Sequence, residues 1–347
     1  MRVFRGKIAW TTLFVLVSLS NWARASDRVR VLSIDGGGVR GIIPAIALAA
    51  IEKEVGKPIA QIFDLVAGTS TGGVLALALT APNNRNEPVI TAKQAVHHYI
   101  IQSSSIFQAS FSHWLKTGGG LWGPRYESIG LLGLLKNQLG DALLSQALIP
   151  TIITGYHVEG RTGIEFSSIE AKKFPAEKDC LMRQVGMATS AAPIYFDAVD
   201  VEFGWGVLKT VVDGSLYAHN PSVIAYVNAV KTYPGKKIEL YSLGTGLITP
   251  EQLSLQLKGR GLLQWAPPMI DHLQIGCTEA DSSILHRLLN EDGQQNFFRL
   301  NVPVDHAHNS IDDTSVGNMR YLLEQGKKAV QSTIFKQMVE RLKKSSV

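Results

Sequence analysis

The sequence predicts an α/β fold. Short apolar runs alternate with helical stretches along most of the chain, which is typical of strands connected by helices. Two of the apolar runs lead into glycine-rich turns that precede a helix, as at the sites of many α/β proteins. With 347 residues, 45% of them hydrophobic, the chain is long enough to bury a large core.

The predicted elements follow from these runs and from their bounding residues. The predicted strands are residues 30–34, 63–67, 149–158, 163–169, 209–212, 238–243 and 297–302. The predicted helices are residues 42–55, 74–80, 91–101, 179–189 and most of 315–344. Pro44 is tolerated because it lies in the first turn of its helix, and Thr91 is a favourable N-cap residue.

The composition excludes several classes of protein. The chain is 18% charged and has an ordinary apolar content, so it is not a disordered protein. Its 32 glycines are not periodic and it has 2 cysteines, which excludes collagen-like and disulfide-dense chains. No run of 18 apolar residues occurs, so it is not a multi-span membrane protein.

The first 25 residues have the pattern of a secretory signal peptide. Basic residues near the N-terminus precede a largely apolar stretch of 13 residues, 8–20, and Ala23-Arg24-Ala25 has the small residues of a cleavage site. The alternative, an uncleaved membrane anchor, needs about 20 apolar residues. We therefore expect export to a periplasm or to the medium, with Ser26 as the first mature residue.

Loss of residues 1–25 would remove most of the net charge. The full chain carries a formal charge of +5, and the leader holds four basic residues and no acidic one, which leaves a net charge of +1. The sequence therefore gives no electrostatic reason to expect nucleic acid as a partner.

The cysteines and histidines do not predict a metal site. Cys180 and Cys277 are compatible either with one disulfide or with two free thiols. His97 and His98 are adjacent, so they cannot form the i,i+4 pair that chelates a metal on a helix.

Residues 103–125 differ from the rest of the chain, because they combine few charges with the aromatic residues Phe107, Phe111, Trp114 and Trp122. They also contain three consecutive glycines. The segment could be a lid or a membrane-touching flap. The interpretation that we favour is a loop whose aromatic side chains pack on the core.

The first candidate motif is DGGGVRG, residues 35–41, between a predicted strand and a predicted helix. Its consecutive glycines allow backbone N–H groups to converge on one point, as in an anion-binding site. The spacing of Gly36, Gly38 and Gly41 also matches a dinucleotide-binding fingerprint, with Asp64 about twenty residues on. The motif alone fits either a cofactor pyrophosphate or a reaction oxyanion.

The second motif is GTSTG, residues 68–72, again between a strand and a helix. It matches the nucleophile elbow G-x-S-x-G, in which small neighbours permit a strained turn that presents the serine above the sheet. The helix that follows Ser70 would favour negative charge at its N-terminus. The alternative is an ordinary glycine-rich turn with an N-cap serine.

The third motif is VVDGS, residues 211–215, followed by Asn220-Pro221. Alone, it could be a common Asp-Gly turn. Together with the other two motifs, a carboxylate at the end of a strand completes a set of nucleophile, oxyanion donors and base.

These three motifs resemble the signature blocks of the patatin-like lipid acyl hydrolases. The stretches ATSAAP at 188–193, with Tyr195-Phe196, and SLGTG at 242–246 also resemble that family. The resemblance covers about residues 29–246 with the motifs in family order, and continues weakly to Asn318. One domain over residues 26–347 is therefore expected, with a helical C-terminal part at 247–347.

The resemblance implies a three-layer α/β sandwich with a mainly parallel sheet and a serine–aspartate dyad. Ser70 would be the nucleophile and Asp213 the proton acceptor. The oxyanion hole would be formed by the backbone of Gly36, Gly37 and Gly38, with Arg40 beside it. The remaining glycines of the motifs are Gly41, Gly68, Gly72 and Gly214. Asp35 would brace the glycine loop rather than react.

The resemblance also implies the substrate: ester-linked fatty acids of membrane or micellar lipids, cleaved without a cofactor. We expect peripheral contact with membranes. An aspartate with an ordinary pKa of about 3.9 is a poor base, so burial has to raise its pKa or the oxyanion hole has to contribute more.

Alternatives remain open at this point. A serine–histidine–aspartate triad is conceivable, because His219, His272, His306 and His308 all follow Asp213. Serine 215 stands where the family usually has glycine or alanine, and its hydroxyl could hydrogen-bond Asp213 and weaken it as a base. A weakly active or inactive storage or lipid-binding protein is therefore the second hypothesis. A nucleotide-dependent dehydrogenase and a small-ester esterase or peptidase are the others.

Overall fold

The computed structural model describes residues 27–248, 259, 261–290 and 293–344; the predicted leader lies outside them. The strands are β1 Arg28–Ile34, β2 Leu65–Gly68, β3 Thr151–His157, β4 Thr162–Ser167, β5 Val199–Phe203, β6 Val207–Asp213, β7 Lys237–Leu243, β8 Leu247–Ile248, β9 Phe297–Leu300 and β10 Pro303–Val304. The helices are α1 Ile42–Val55, α2 Ile59–Ile62, α3 Thr71–Thr80, α4 Ala92–Ile106, α5 Phe111–Thr117, α6 Ile129–Leu139, α7 Ser168–Lys173, α8 Pro175–Lys178, α9 Met182–Thr189, α10 Ser222–Thr232, α11 Leu262–Leu289, α12 Val316–Gln331 and α13 Thr333–Lys344.

The main sheet has the strand order β5-β6-β3-β2-β1-β7-β9, and β4 also pairs with β3. Each pair of adjacent strands from β3 through β2, β1 and β7 to β9 is parallel. The pairs β3–β4, β3–β6 and β5–β6 are antiparallel. The expectation of a mainly parallel sheet is confirmed. A short parallel pair, β8 with β10, stands apart from it.

Helices cover both faces of the sheet. Along β1, Val29 and Val31 belong to one buried cluster, while Leu32 and Ile34 belong to another. Because successive residues of a strand point to opposite faces, the two clusters lie on opposite sides of the sheet. The first side is packed mainly by α10 and the C-terminal part of α11, and the second mainly by α1, α3, α12 and α13. The three-layer sandwich is therefore confirmed.

Strand β3 brings the second and third motifs together. Ile152 and Ile153 pair with β2 on one edge and with β4 on the other. Gly155 pairs with β4 and with Asp213 of β6, so β6 continues the same edge of β3 that β2 occupies. Because β2 runs parallel to β3 and β6 runs antiparallel, the C-terminal ends of β2 and β6 meet.

Several elements differ from the sequence prediction. Helix α3 begins directly after Ser70 instead of at residue 74, and α4 extends to Ile106 from a capping box at Thr91. Strand β5 and helices α6 and α10 were not predicted.

Cys180 is buried and Cys277 is exposed, and both thiols are free. Among the described residues, none of the helices has the length and apolar character needed to span a bilayer.

The expectation that the aromatic residues of 103–125 pack on the core is wrong for three of the four. Phe111, Trp114 and Trp122 are 78%, 53% and 83% exposed. Phe107 does pack, against the ring of Phe196 at 5.7 Å between centroids. Glycine-rich backbone at positive φ holds this segment away from the core, as described below.

Candidate active site

Ser70 occupies a strained turn between β2 and α3. Its φ and ψ are 53° and −125°, a region that non-glycine residues rarely adopt, and it is 8% exposed. A side chain at Gly68 would collide with the carbonyl of Gly72, and one at Gly72 would collide with the carbonyl of Ile34. The two glycines are required because the turn lies against its own backbone and against β1. This geometry is that of a nucleophile elbow.

The partner of the Ser70 side chain is Asp213, the last residue of β6. The Ser70 side chain interacts with the Asp213 carboxylate and lowers its pKa. Burial raises the pKa of Asp213 to about 6, although hydrogen bonds from the Ser215 backbone, from Ser70 and from the Ser215 side chain act in the opposite direction. The Ser215 N–H lies 2.8 Å from Asp213 Oδ1. Burial thus supplies the rise in basicity that the sequence argument required.

The glycine loop after β1 carries two free backbone donors. Gly37 and Gly38 have φ of 147° and 58°, which glycine adopts without strain. Neither N–H donates a hydrogen bond to a residue in the described part of the chain. Gly36 differs from the expectation, because its N–H donates to the His219 carbonyl at 3.0 Å. The free amides are therefore those of Gly37 and Gly38, and Gly38 lines the same pocket as Ser70.

Side chains from distant elements fix this loop. Thr245 donates from its hydroxyl to the Gly36 carbonyl at 2.5 Å. Arg40 is buried and reaches back to the Gly37 carbonyl, with its guanidinium also on Asn309. The Asp35 carboxylate forms a buried, two-pronged ion pair with the guanidinium of Arg299 on β9. Arg40 and Asp35 thus brace the loop, a role that the sequence analysis expected for Asp35.

The stretch 188–193 holds both members of the Ser70–Asp213 pair, a role that the sequence did not reveal. The Ser70 N–H donates to the hydroxyl of Thr189 at 2.8 Å. The Asp213 N–H donates to the Ala191 carbonyl at 3.0 Å. Two backbone positions far apart in the sequence are therefore set by one short segment after α9. The only sequence signal for this role is the resemblance of residues 188–193 to a family motif.

The other motif glycines are explained by close approach. A side chain at Gly41 would collide with Thr71 and with the hydroxyl of Tyr99. One at Gly214 would collide with the hydroxyl of Thr154, which itself hydrogen-bonds Thr69 at 2.6 Å. These contacts press the three turns of the site against one another.

An apolar pocket opens at Ser70. It encloses about 990 Å³ of empty space, including its mouth. It is lined by residues of α3, α4 and α6, and also by Gly38, Ala192, Tyr195 and Ile311. The apolar side chains of the wall include Val74, Leu75, Ala78, Ile106, Leu131, Leu134, Leu135 and Leu139. Such a pocket fits an apolar chain whose reactive end meets Ser70.

His219 lies beside the pair but is not joined to it. An added Cβ on Gly36 would lie 3.3 Å from both His219 Nδ1 and Ser70 Cβ, so both approach this glycine. His219 Nδ1 is buried without a hydrogen-bond partner in the described residues. Burial, together with the positive charges of Arg40 and Arg299, lowers the pKa of His219 to about 3. An imidazole that resists protonation in this way is a weak base, which argues against a triad through His219.

The remaining alternatives find little support in the geometry. The His308 ring is hydrogen-bonded to Asn318, with 3.0 Å between His308 Nδ1 and Asn318 Oδ1. Asp64, the acidic residue that the dinucleotide fingerprint required, directly precedes β2 and accepts the Arg30 N–H at 2.8 Å. It therefore lies at the opposite end of the parallel strands from the glycine loop, too far to contact a ribose bound there.

Comparison with known proteins agrees with this geometry. The family model described as patatin-like phospholipase matches residues 32–226. Patatin-like protein 2 of Arabidopsis thaliana is 34% identical over 70% of this chain and 68% of its own length. Patatin-like protein 2 of Oryza sativa subsp. japonica is 33% identical over 88% of this chain and 84% of its own. A Solanum tuberosum relative, named probable inactive patatin-3-Kuras 1, is 27% identical over 93% of this chain and 91% of its own. The three motifs meet at one pocket, and the family model supports lipid acyl hydrolase activity in general terms. Because that model matches more than half of the sequence, the chain belongs to the patatin-like phospholipase family.

Proposed function

We propose that this protein is an exported serine lipid acyl hydrolase that releases fatty acids from phospholipids or related acyl lipids. The observation that carries the proposal is the proximity of Ser70, which lines an apolar pocket from its strained turn, to the buried Asp213 carboxylate. Export rests on the signal-peptide pattern of residues 1–25.

In the first half of the reaction, Asp213 accepts the Ser70 hydroxyl proton while Ser70 Oγ attacks the ester carbonyl carbon. The negative charge that develops on the carbonyl oxygen is stabilised by the N–H groups of Gly37 and Gly38. The intermediate then collapses to an acyl-serine, and the leaving alcohol takes the proton from Asp213.

In the second half, water donates a proton to Asp213 and attacks the acyl carbon. Collapse of this second intermediate returns the proton to Ser70 Oγ and releases the fatty acid. The raised pKa of Asp213 supports this role, because a base with a pKa of about 6 accepts a proton more readily than an ordinary aspartate and is still ionised at neutral pH.

The pocket supports a long acyl chain as the group transferred to Ser70. Its walls are apolar along α3, α4 and α6, so each methylene group placed there is removed from water, which stabilises the complex by about 0.8 kcal/mol per group. We expect long-chain esters to be preferred to short ones, which separates a lipid hydrolase from a small-ester esterase or a peptidase.

The second candidate is a weakly active or inactive lipid-binding protein. Ser215 favours it, because its N–H donates a hydrogen bond to the Asp213 carboxylate, and because its hydroxyl also lowers the pKa of that carboxylate and so its basicity. The name of the potato relative, probable inactive, shows that loss of activity is considered within this family.

The test is fatty-acid release by the purified protein from mixed phospholipids and from a long-chain monoester. Ser70→Ala removes the nucleophile, and Ser104→Ala, at an exposed serine of α4, is the matched control. The proposal expects release that Ser70→Ala abolishes and Ser104→Ala preserves. Release that survives Ser70→Ala would overturn it, and no release from any of the three proteins would favour the second candidate.

A further inference from the structure

Five large apolar side chains are exposed within twelve residues beside the pocket. They belong to α5 and to the turn that follows it, which we call the aromatic platform. Its members are Phe111, Trp114, Leu115, Leu121 and Trp122, with exposures of 78%, 53%, 66%, 79% and 83%. Single exposed apolar residues are common on protein surfaces, but a cluster of this size marks an interaction site.

The platform is one continuous surface. Phe111, Trp114 and Leu115 have the i, i+3, i+4 spacing of one helix face, and the rings of Phe111 and Trp114 are stacked at 6.3 Å. Three consecutive glycines, 118–120, have positive φ and turn the chain back after α5. The ring of Trp122 then lies over Gly118, and that of Trp114 over Gly119, where no larger residue fits.

Hydrogen bonds join the segment that follows the platform to the lining of the pocket. The Arg125 N–H donates to the Ile194 carbonyl at 2.8 Å, and the Tyr126 N–H to the Tyr195 carbonyl at 2.9 Å. The Arg125 guanidinium also pairs with Asp312 at 2.9 Å. Tyr195 lines the pocket, and Asp312 follows Ile311, which lines it too. The chain that directly follows the platform is therefore fixed to residues that line the pocket or adjoin its lining.

The charges of the segment favour a lipid surface over a charged partner. Residues 103–125 contain no aspartate or glutamate. Arg125 is paired with Asp312, which leaves Lys116 as the exposed cation of α5. Tryptophan is enriched at the interface between lipid headgroups and acyl chains. The pocket that opens beside the platform is apolar, so the surface that faces it should itself contain acyl chains.

We propose that the aromatic platform inserts into the surface of a phospholipid bilayer and so holds the mouth of the pocket against it. This inference rests on the proposed function, because it names the surface through which the same site reaches its lipid. Insertion of apolar side chains, rather than attraction between charges, provides the binding. Binding should therefore depend little on salt and need no anionic lipid.

The test measures binding of the Ser70→Ala protein to phosphatidylcholine vesicles by co-sedimentation, so that hydrolysis plays no part. In this background, Leu121→Gln with Trp122→Gln should lower the partition coefficient about tenfold or more, since two large apolar side chains no longer leave water. Trp205→Gln is the matched control, because Trp205 is 78% exposed at the far end of β6 from Asp213, about 20 Å along the strand. It should leave binding unchanged.

A second variant, Phe111→Gln, keeps the test independent of the turn. It should also weaken binding, while circular dichroism shows an unchanged fold. Equal binding by all of these proteins, or binding that requires anionic lipid and disappears at high salt, would overturn the proposal.

Catalysis tells the two proposals apart. In the Ser70-containing protein, the platform variants should lose hydrolysis of vesicles but keep hydrolysis of a dissolved monomeric ester. Absence of ester hydrolysis together with platform-dependent binding would refute the proposed function alone. Hydrolysis that Ser70→Ala abolishes, with vesicle binding unaffected by the platform substitutions, would refute the platform alone.

Discussion

The two glycine-rich turns that meet at the pocket look alike in sequence but use glycine for different purposes. In the loop after β1, Gly37 and Gly38 adopt positive φ, so glycine supplies a backbone conformation. In the turn after β2, the strained residue is Ser70, and Gly68 and Gly72 supply space for a close backbone approach.

The difference follows from what each turn presents. The first presents backbone N–H groups, so its residues need no side chains, and its position is set by contacts from remote elements such as Thr245 and the carbonyl of Ile311. The second presents a hydroxyl, so it needs one side chain at a strained position and two neighbours without any. Substitutions that affect one requirement and not the other can test this division.

The largest effect is expected from Asp213→Asn, which keeps the shape of the acceptor beside Ser70 but removes its basicity. We expect kcat to fall about 10³-fold. Asp281→Asn is the matched control, because burial likewise raises the pKa of Asp281 to about 6, beside Arg299 rather than Ser70. An equal loss in both variants would show that a raised carboxyl pKa near the loop, and not the Ser70 contact, matters.

Asp213→Asn should also reveal how much the ionised, buried carboxylate lowers the free energy of unfolding. The pKa of Asp213 is about 6 in the fold against an ordinary 3.8, so its ionisation destabilises the folded state by about 3 kcal/mol above pH 6. This cost is absent well below pH 3.8, because both states are then protonated. Thermal melts should show that Asp213→Asn stabilises the protein at pH 8 more than at pH 4.

The next effect is expected from Gly38→Ala, which disturbs the donors of the first turn. The added methyl would collide with the carbonyl of Ile311, and its φ of 58° disfavours alanine. We expect kcat for a dissolved ester to fall about 10²-fold. Gly56→Ala has a similar φ of 75° and open space around it, so it should cost about 1 kcal/mol of stability in urea and leave kcat unchanged.

A smaller effect is expected from Ser215→Gly, which sharpens the electrostatic side of the comparison. Loss of the hydroxyl removes an interaction that lowers the pKa of Asp213. The acidic limb of the kcat profile, expected near pH 6, should therefore move upward by a few tenths of a unit to about one unit. An unchanged limb, or one that moves to lower pH, would contradict stabilisation of the ionised carboxylate by this hydroxyl.

The smallest effect separates strain from chemistry at Ser70. Ser70→Ala and Ser70→Gly both remove the hydroxyl, but only glycine is free of strain at φ 53° and ψ −125°. The strain of about 1–3 kcal/mol is partly offset by the greater freedom of glycine in the unfolded chain. We expect the glycine variant to be about 1 kcal/mol more stable than the alanine variant in urea unfolding, and equal stabilities would contradict a strained turn.

Sequence reasoning predicted those parts of the site that depend on local pattern. The strands that end at Gly68 and Asp213 are apolar runs, and the elbow has a short regular motif, so both could be read from neighbouring residues. Helix α1 was predicted with its observed bounds, because its apolar content and its C-cap glycine, Gly56, are local signals.

What escaped prediction depends on contacts between distant segments. The bond from Gly36 to the His219 carbonyl, and the contact of Thr189 with the Ser70 N–H, join elements that are remote in sequence. The pocket is enclosed by α4 and α6, and α6 was not predicted. The exposure of Trp122 depends on three successive positive-φ glycines, whose combined geometry is not a property of any one residue.

The shared edge of β3 has a consequence for the order of folding. Ser70 and Asp213 lie far apart in the sequence, and they are placed by strands that pair not with each other but with a third. The two side chains can come together only after β2 and β6 have both paired with β3, and such long-range pairings form slowly. During refolding, enzymatic activity should therefore appear after helical structure, and its recovery rate reports completion of the central sheet.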